Sequence, residues 1–313
     1  MKLRFSIIIV HFNGFERLNN LIKGLLSDIS DNDRIIVVDN NSSDNSIKLI
    51  KKKYPNNKIH FIENKFNRGY SVAANQGIFY QDSEYVLICN NDIITEKGTL
   101  KKLESLFIKF PETAMISGQL VDSKNHMSST ASGAFTFLSN LDGIDKIARI
   151  KQSKKTQESF VDNLRGACLA VRRKAIDQVG GYNEKFFFYF EDTEWCMRLR
   201  NKGWKILFST SIQVFHEGGG STSKYFLKSR IEFMRSRIYL CQITFSKPQL
   251  ICLMLWNVPK LFLDWIYYFL CSSLSLYTKR KYTDKFLERS LVICWLCIGM
   301  PKSWGLPKNY SEG

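Results

Sequence analysis

Three polar segments each follow a short apolar run and carry side chains that bind cations, phosphates and nucleobases. They are residues 39–44 (DNNSSD), 64–69 (NKFNRG) and 90–92 (NND). An aspartate at the end of a buried strand, beside other polar turns, can gather a divalent cation and a diphosphate. A structural interpretation stands beside this one, because Asp39 can stabilise its own turn and Asp44 can cap the following helix.

A second group of carboxylates follows the aromatic run at residues 186–190 (FFFYF). Apolar neighbours and a like charge both raise the pKa of a carboxyl group, which suits it to proton abstraction. We expect one of Glu191 and Asp192 to be a general base, whereas Glu194 has the ordinary role of an acid in the first turn of a helix. On residue type alone, His216 at a strand end is more often structural than a metal ligand.

The elements that must position these side chains alternate between strand and helix. Apolar, β-branched runs such as residues 5–10 (FSIIIV) are typical of strands buried on both faces of a parallel sheet. We therefore predict an α/β fold, a mostly parallel sheet flanked by helices, whose carboxyl edge holds all three polar segments. Strands are predicted at 5–10, 34–38, 59–62, 85–89 and 212–215, helices near 15–26, 44–53, 70–80, 96–110 and 192–202, a strand running into a helix over 164–180, and loop over 122–160.

Composition and motifs exclude several classes of protein. With 44% hydrophobic and 13% aromatic residues, the 313-residue chain can bury a large core and is neither disordered nor a coiled coil. Neither a G-x-G-x-x-G after the first strand nor a P-loop occurs, so nucleotide binding needs other chemistry. Eight cysteines without disulfide-framework spacing, and an N-terminus without a signal-peptide cleavage region, predict a cytoplasmic protein.

Further segments fall in one order along roughly residues 4–225, and together they resemble a known family. They are Asn13, 37–40 (VVDN), 67–70 (NRGY), Asn75, Gly77, 90–92 (NND), 166–168 (GAC), 179–182 (VGGY), 189–192 (YFED) and 216–222 (HEGGGST). The chain is similar to the inverting, GT-A-type family 2 glycosyltransferases. The resemblance is greatest to rhamnosyltransferase-like members of bacterial polysaccharide assembly.

The resemblance implies a nucleoside-diphosphate sugar as donor and assigns residues to it. Asp39 would hydrogen-bond the nucleobase, and the turn formed by Asn67, Arg68 and Gly69 would lie along the nucleotide. The remaining donor-binding residues implied by the matching motifs are Asn90, Asn91 and Gly166.

The resemblance also implies a metal and a base. Asp92 and His216 would bind a divalent cation, Mg²⁺ or Mn²⁺, that bridges the diphosphate, and this role replaces the structural interpretation of His216. Asp192 would be the general base, with Glu191 beside it. Many relatives carry D-x-D where this chain has Asn90-Asn91-Asp92, and an asparagine in the first place is typical of the rhamnosyltransferase-like branch.

These parts suit a single direct displacement that inverts the anomeric centre. The cation neutralises the leaving diphosphate and a carboxylate deprotonates the attacking hydroxyl, whereas a retaining double displacement would need a further positioned nucleophile. The resemblance favours dTDP-rhamnose as donor, with a UDP-sugar next, and a glycan or lipid-linked oligosaccharide as acceptor. The alternative is an inactive, glycan- or nucleotide-binding relative that acts as a scaffold.

The last third of the chain has a different character. The chain carries a net charge of +16, and residues 221–313 hold 14 basic and 5 acidic side chains, or +9 of that total. We predict a catalytic domain at 1–224 and a basic, aromatic-rich helical extension at 225–313. Its apolar blocks, at 250–256, 261–271 and 291–300, are each too short to span a bilayer.

Two interpretations of this extension remain open. It lies on the inner face of the cytoplasmic membrane as a peripheral contact, packs on the catalytic domain or in a homodimer, or does both. A nucleic-acid partner is not expected, because the positive charge lies beside bulky apolar blocks and no nucleic-acid-binding motif occurs.

Overall fold

The computed structural model describes residues 3–55, 57–122, 126–128, 130–141, 157–217 and 225–306. These residues form two compact units. The first takes the described residues up to 134 and from 157 to 217, and the second takes 135–141 and 225–306.

The first unit is built on a mixed, nine-stranded sheet within the described residues. Its order is β3-β2-β1-β4-β10-β6-β11-β5, with β8 paired to β11, and β7 and β9 form a separate two-stranded sheet. The strands are β1 (Leu3–His11), β2 (Asp33–Asp39), β3 (Ile59–Glu63), β4 (Ser83–Asn90), β5 (Ile93–Thr95), β6 (Thr113–Val121), β7 (Ala131–Ser132), β8 (Glu158–Val161), β9 (Asn163–Leu164), β10 (Cys168–Arg172) and β11 (Lys205–His216).

Six helices of the first unit and four of the second lie within the described residues. In the first unit they are α1 (Phe15–Leu26), α2 (Ser46–Lys53), α3 (Tyr70–Ile78), α4 (Thr99–Lys109), α6 (Arg173–Val179) and α7 (Glu191–Asn201). In the second they are α5 (Phe137–Leu141), α8 (Phe226–Thr244), α9 (Lys247–Leu274) and α10 (Arg280–Cys297), followed by a 3₁₀ turn at Lys302–Trp304.

The parallel half of the sheet matches the sequence prediction. Strands β3, β2, β1 and β4 run parallel, so that their carboxyl ends meet at one edge. Successive residues of β1 enter two different cores: Phe5, Ile7 and Ile9 pack with α1, whereas Ile8 packs with α3. Burial on both faces explains why this strand is a continuous apolar run.

The other half of the sheet departs from simple strand and helix alternation. β10 lies antiparallel between β4 and β6, and β11 runs parallel to β6 and antiparallel to β5. The predicted strand at 212–215 is therefore only the end of a twelve-residue strand with a change of register between Ser209 and Gln213. Part of the segment predicted as loop, 122–160, holds β7, α5 and the start of β8, and the rest of it lies largely outside the described residues.

The second unit has its own small core, formed by Ile231, Met234, Leu261, Val292 and Trp295. The sequence prediction of separate apolar blocks was wrong for the first two, because α9 is one 28-residue helix that includes Pro259. By length and composition α9 is long and apolar enough to cross a membrane. Asn257, which lies between the two predicted blocks, has partners inside the unit, because its Nδ2 donates to the backbone oxygens of Leu253 and Asn140.

Candidate active site

The polar turn after β2 is organised around Asp39. The Asp39 carboxylate is nearly buried, accepts the Ser42 N–H at 3.2 Å on both oxygens, and accepts the Ser42 hydroxyl at 2.5 Å. Burial raises the pKa of Asp39, and the Ser42 hydrogen bonds oppose that change. The Asp39 oxygens keep further lone pairs beside those that bind Ser42, and these lone pairs can accept the N–H of a nucleobase.

Asn40 joins this turn to the one after β3. Its Nδ2 donates to Asn67 Oδ1 at 2.8 Å and to the Gly69 carbonyl at 3.2 Å, and its Oδ1 accepts the Arg68 N–H at 2.9 Å. Asn67 Oδ1 also accepts the Gly69 N–H at 3.0 Å. The Arg68 side chain is exposed, with its guanidinium 5.8 Å from the Phe66 ring centre, and is free to reach a phosphate.

The turn after β3 is tied to the aromatic run before α7. Tyr70 N–H donates to the Phe187 carbonyl at 2.7 Å, and a Cβ on Gly69 would lie 2.6 Å from the Phe187 ring and 2.8 Å from its oxygen. Gly69 also has a φ of +83°, so both its backbone angle and its surroundings favour glycine. The Tyr70 hydroxyl then donates to the Gly166 carbonyl at 3.3 Å.

The turn after β4 carries the predicted metal ligand. Asn90 N–H donates to the Ala167 carbonyl at 2.9 Å, which joins this turn to the start of β10. Asp92 Oδ1 is buried and accepts no hydrogen bond, although His216 Nε2 lies 3.3 Å from it. The pairing of β11 with β5 brings His216 beside Ile93 and so to Asp92.

A carboxylate and an imidazole so close together are suitable donors for a divalent cation. A bound cation would also satisfy Asp92 Oδ1, whose burial without a hydrogen bond is otherwise unfavourable. No group of three or more His, Cys, Asp or Glu that could hold a metal occurs among the described residues. Among the described His, Cys, Asp and Glu side chains, Asp92 and His216 are therefore the pair that would hold such a cation.

Asn91 is positioned by His11, a residue that the sequence analysis missed. Asn91 Nδ2 donates to the Asn13 carbonyl at 3.2 Å and lies 2.9 Å from His11 Nδ1, so this ring nitrogen is the acceptor. His11 Nε2 then carries the proton and donates to Ser46 Oγ at 2.8 Å. Burial lowers the pKa of His11 to about 4, which keeps the ring neutral.

The two carboxylates at the start of α7 have different surroundings. Asp192 is partly exposed, and its oxygens accept the Gly166 N–H at 2.8 Å and the Thr193 N–H at 2.6 Å. Burial raises the pKa of Asp192, and these hydrogen bonds oppose the rise. Glu191 is buried with Oε2 accepting no hydrogen bond, and burial together with the charge of Asp192 raises its pKa to about 8.

The backbone before α7 is strained. Tyr189 and Phe190 both have left-handed backbone conformations, with φ of 73° and 65°. Two successive non-glycine residues in this region cost free energy and persist only where the surroundings impose them. The conformation sets the direction of the first turn of α7, and hence the position of Asp192 beside Gly166.

The third acidic residue, Glu194, lies in the first turn of α7 as predicted, and there it pairs with Arg198 instead of capping the helix. It accepts a hydrogen bond from Arg198 Nε at 2.7 Å, and Arg198 also donates to the carbonyls of Val179 and Gly181. Of the segment 216–222, only His216 and Glu217 lie within the described residues, where Glu217 pairs with Arg17 at 2.7 Å.

Comparison with known proteins decides the family. The sequence pattern of the family described as Glycosyl transferase family 2 matches residues 6–180, which is more than half of the chain. The chain belongs to glycosyl transferase family 2. The family segment contains Asp39, the turn at 67–70, Asp92 and Gly166, and ends before Asp192 and His216.

Two proteins with similar sequences have names that describe sugar transferases. The chain is 28% identical over 218 residues to the low-salt glycan biosynthesis hexosyltransferase Agl10 of Haloferax volcanii, covering 67% of this chain and 66% of that protein. It is 25% identical over 213 residues to the N-acetylglucosaminyl-diphospho-decaprenol L-rhamnosyltransferase of Mycobacterium tuberculosis, covering 61% and 68%. The match thus spans about two thirds of each relative.

Solved structures show that the family 2 fold here is of GT-A type. GalNAc-T7 with UDP, GalNAc and Mn²⁺ has a TM-score of 0.60 at 15% identity, covering 96% of this chain and 58% of that one. The mannosyltransferase PcManGT from Pyrobaculum calidifontis, in complex with GDP-Man and Mn²⁺, has a TM-score of 0.57 at 12% identity, covering 95% and 87%. The predicted α/β fold with a mostly parallel sheet and a helical C-terminal region is confirmed.

Proposed function

We propose that this family 2 glycosyltransferase is a divalent-cation-dependent, inverting enzyme that transfers a sugar from a nucleoside diphosphate to a hydroxyl group. The observation that carries the proposal is the buried Asp92 Oδ1, which accepts no hydrogen bond and lies 3.3 Å from His216 Nε2. Both comparison structures named above bind Mn²⁺ together with a nucleotide or nucleotide sugar. The cation, Mg²⁺ or Mn²⁺, would stabilise the charge that develops on the departing diphosphate.

The donor lies, in this proposal, across the turns that Asn40 connects. Asp39 accepts a hydrogen bond from the nucleobase, and the turn of Asn67, Arg68 and Gly69 follows the nucleotide, with the exposed Arg68 side chain available to phosphate. Asn90, Asn91 and Gly166 complete the donor side. The Asn90 N–H donates to Ala167, the Asn91 side chain donates to Asn13, and Gly166 is hydrogen-bonded to Tyr70 and Asp192.

Asp192 acts as the general base. The acceptor oxygen forms a bond to the anomeric carbon, the bond to the diphosphate oxygen breaks with its electron pair, and the acceptor proton passes to Asp192. Asp192 is partly exposed, and two N–H groups fix its carboxylate. Glu191 is buried, and its pKa is raised to about 8. Access and orientation therefore favour Asp192 over Glu191 as the group that meets the acceptor.

The donor sugar that we favour is dTDP-rhamnose, with a UDP-sugar next. The rhamnosyltransferase relative and the asparagine at position 90 support the first choice. The acceptor is a glycan or a lipid-linked oligosaccharide of cell-surface polysaccharide synthesis. One relative is named for a sugar on diphospho-decaprenol, and another is named for glycan biosynthesis. Such an acceptor places the enzyme at the inner face of the cytoplasmic membrane.

Calorimetric titration of the full chain with nucleoside diphosphates, with and without Mn²⁺, tests the metal and donor parts of this proposal. We expect Mn²⁺ to tighten nucleotide binding, and Asp92→Ala and His216→Ala to remove that gain. Asp82→Ala, at an exposed aspartate just before the opposite end of β4, is the matched control and should behave as the parent. Equal binding in Mn²⁺ and in EDTA would remove the metal from the mechanism, and an effect of Asp92→Ala alone would return His216 to a structural role.

A further inference from the structure

The helix α9 has the reverse of the polarity expected for a surface helix in water. Its inner side carries its polar groups: Asn257 Nδ2 donates to Asn140 O, Asp264 lies 3.6 Å from Arg289, and Trp265 Nε1 donates to Ser290 Oγ at 2.8 Å. Its outer side is apolar and exposed. A helix that keeps its polar groups inside and its apolar groups outside fits a non-aqueous surrounding.

The exposed side covers more than half of the helix circumference. Met254, Leu255 and Leu263 are 65%, 71% and 67% exposed. At about 100° per residue, the exposed apolar positions of α9 span an arc of about 220°. The members of this outer arc are Ile251, Met254, Leu255, Trp256, Val258, Phe262, Leu263, Ile266, Tyr267, Phe269, Leu270 and Leu274.

The width of the outer arc distinguishes between two possible partners, a second copy of this chain and lipid. A single helix from a second copy of this chain packs along one stripe of α9 and would leave much of the arc in water. Acyl chains adapt to the whole arc at once. Aromatic side chains with a polar atom, here Trp256 and Tyr267, are also typical of the boundary between lipid and water.

The charges along this part of the chain complete the pattern. Between residues 248 and 278 the charged side chains are Lys260 and Asp264, both only partly exposed, whereas Lys247 precedes the apolar stretch and Lys279, Arg280 and Lys281 follow it. Basic residues at both ends of an apolar surface are attracted to anionic headgroups.

We propose that α9 lies in the plane of an anionic bilayer surface, with its outer arc inserted among the acyl chains. Its neighbour α10 packs along α9 and places Glu288 and Arg289 beside Asp264, near the middle of α9. A spanning orientation of α9 would draw these charges into the hydrocarbon, which is strongly unfavourable, so the in-plane orientation is the one that the unit permits. This inference specifies the membrane contact of the proposed function and does not depend on the sugar transferred.

Vesicle flotation of the full chain tests the surface. We expect binding to phosphatidylcholine–phosphatidylglycerol vesicles, weaker binding to phosphatidylcholine alone, and a loss of about tenfold or more in affinity for Leu255→Glu and for Leu263→Glu. Ile108→Glu is the matched control, since Ile108 is 71% exposed on α4 in the other unit, and should bind as the parent does.

Quenching by brominated lipids tests the orientation. With Leu263→Trp in a Trp256→Phe background, the quenching that exceeds that of Trp256→Phe alone reports the new fluorophore at the middle of α9, and it should be strongest for bromines near the headgroups. Strongest quenching by bromines at the bilayer centre would overturn the in-plane orientation. Failure to bind either vesicle, with a stable dimer that Leu255→Glu dissociates, would overturn the lipid as occupant. These readouts involve no sugar transfer, so they fail or succeed independently of the catalytic proposal.

Discussion

Two adjacent carboxylates in this chain are given different properties by their surroundings. Asp192 is partly exposed and receives two backbone hydrogen bonds, whereas Glu191 is buried and its Oε2 receives none. Environments that separate the pKa values of two neighbouring acids are typical of acid–base sites. Burial and the charge of Asp192 favour the protonated form of Glu191, whose pKa is about 8, whereas the hydrogen bonds to Asp192 oppose the rise of its own pKa.

The buried Glu191 has a consequence for stability that can be measured. Its pKa is about 8 in the folded chain against an ordinary value of 4.5, so the folded state holds this proton more firmly than the unfolded state. The stability that Glu191 contributes is fully present below pH 4.5 and is lost as pH rises through about 8. We expect the unfolding free energy of Glu191→Gln, measured relative to that of the parent, to rise by on the order of 3 kcal/mol between pH 5 and pH 8.

Urea unfolding in EDTA at the two pH values measures this difference. Glu96→Gln, at an exposed glutamate, is the control and should follow the parent. If the unfolding free energies of the parent and Glu191→Gln fell in parallel between the two pH values, Glu191 would titrate normally in the folded chain.

At the scale of single residues, the sequence identifies side chains by their type but not those that act through partners. Asp39, Asp92 and Asp192 could be selected because each follows an apolar run or opens a predicted helix. Asn40 was included only as part of a motif and His11 was missed, because their roles depend on hydrogen bonds to Asn67 and Asn91, which are 27 and 80 residues away. A histidine at the end of a buried strand was the available signal for His11.

Among the elements, the turn after β3 links the nucleotide side of the site to the base. Gly69 packs against Phe187, and Tyr70 donates to Phe187 on one side and Gly166 on the other. The strained residues before α7 belong to the same aromatic segment. A side chain at position 69 should therefore also displace Phe187 and the segment before α7.

Two glycines separate the effect of backbone angle from the effect of packing. Gly69 and Gly98 have φ of +83° and +85°, but a Cβ on Gly98 would meet nothing within 4 Å. We expect Gly69→Ala and Gly98→Ala to share a loss of about 1 kcal/mol in unfolding free energy from the backbone angle. Only Gly69→Ala should also weaken nucleotide binding, by about tenfold or more, because Phe187 must move. Calorimetry with a nucleoside diphosphate measures this difference in binding. Equal affinities of the two variants would contradict the role of the Gly69–Phe187 contact.

The elements that the sequence predicted best are those governed by local pattern. The parallel strands and their helices were placed within a few residues, because burial on both faces leaves continuous apolar runs. β6 was missed although each of its nine residues is buried, and the position of β10 between β4 and β6 depends on pairing that no local pattern encodes. The sequence predicted two blocks where α9 is one helix, because the partners of its polar residues lie on other helices.

For the whole molecule, the sequence predicted one boundary, whereas the chain enters the helical unit twice. α5 lies far from α8 in sequence, yet Arg237 donates to Asn140 Oδ1 at 2.9 Å and Trp256 Nε1 donates to Leu141 O at 2.7 Å. A cut at residue 224 would leave α5 without these partners. The separate roles of 1–224 and 225–313 stay predictions, and a deletion that tests them should remove 135–147 as well.

The central claim is that Asp192 deprotonates the acceptor in a sugar transfer from a nucleoside diphosphate. The most direct test compares the parent with Asp192→Asn, using Mn²⁺, the donor selected by binding and a lipid-linked or glycan acceptor. We expect donor binding to be unchanged and release of nucleoside diphosphate to fall by about 10² to 10⁴. Asp177→Asn, at an exposed aspartate of α6, should keep the parent rate. Nucleoside diphosphate release by Asp192→Asn at the parent rate would contradict the account.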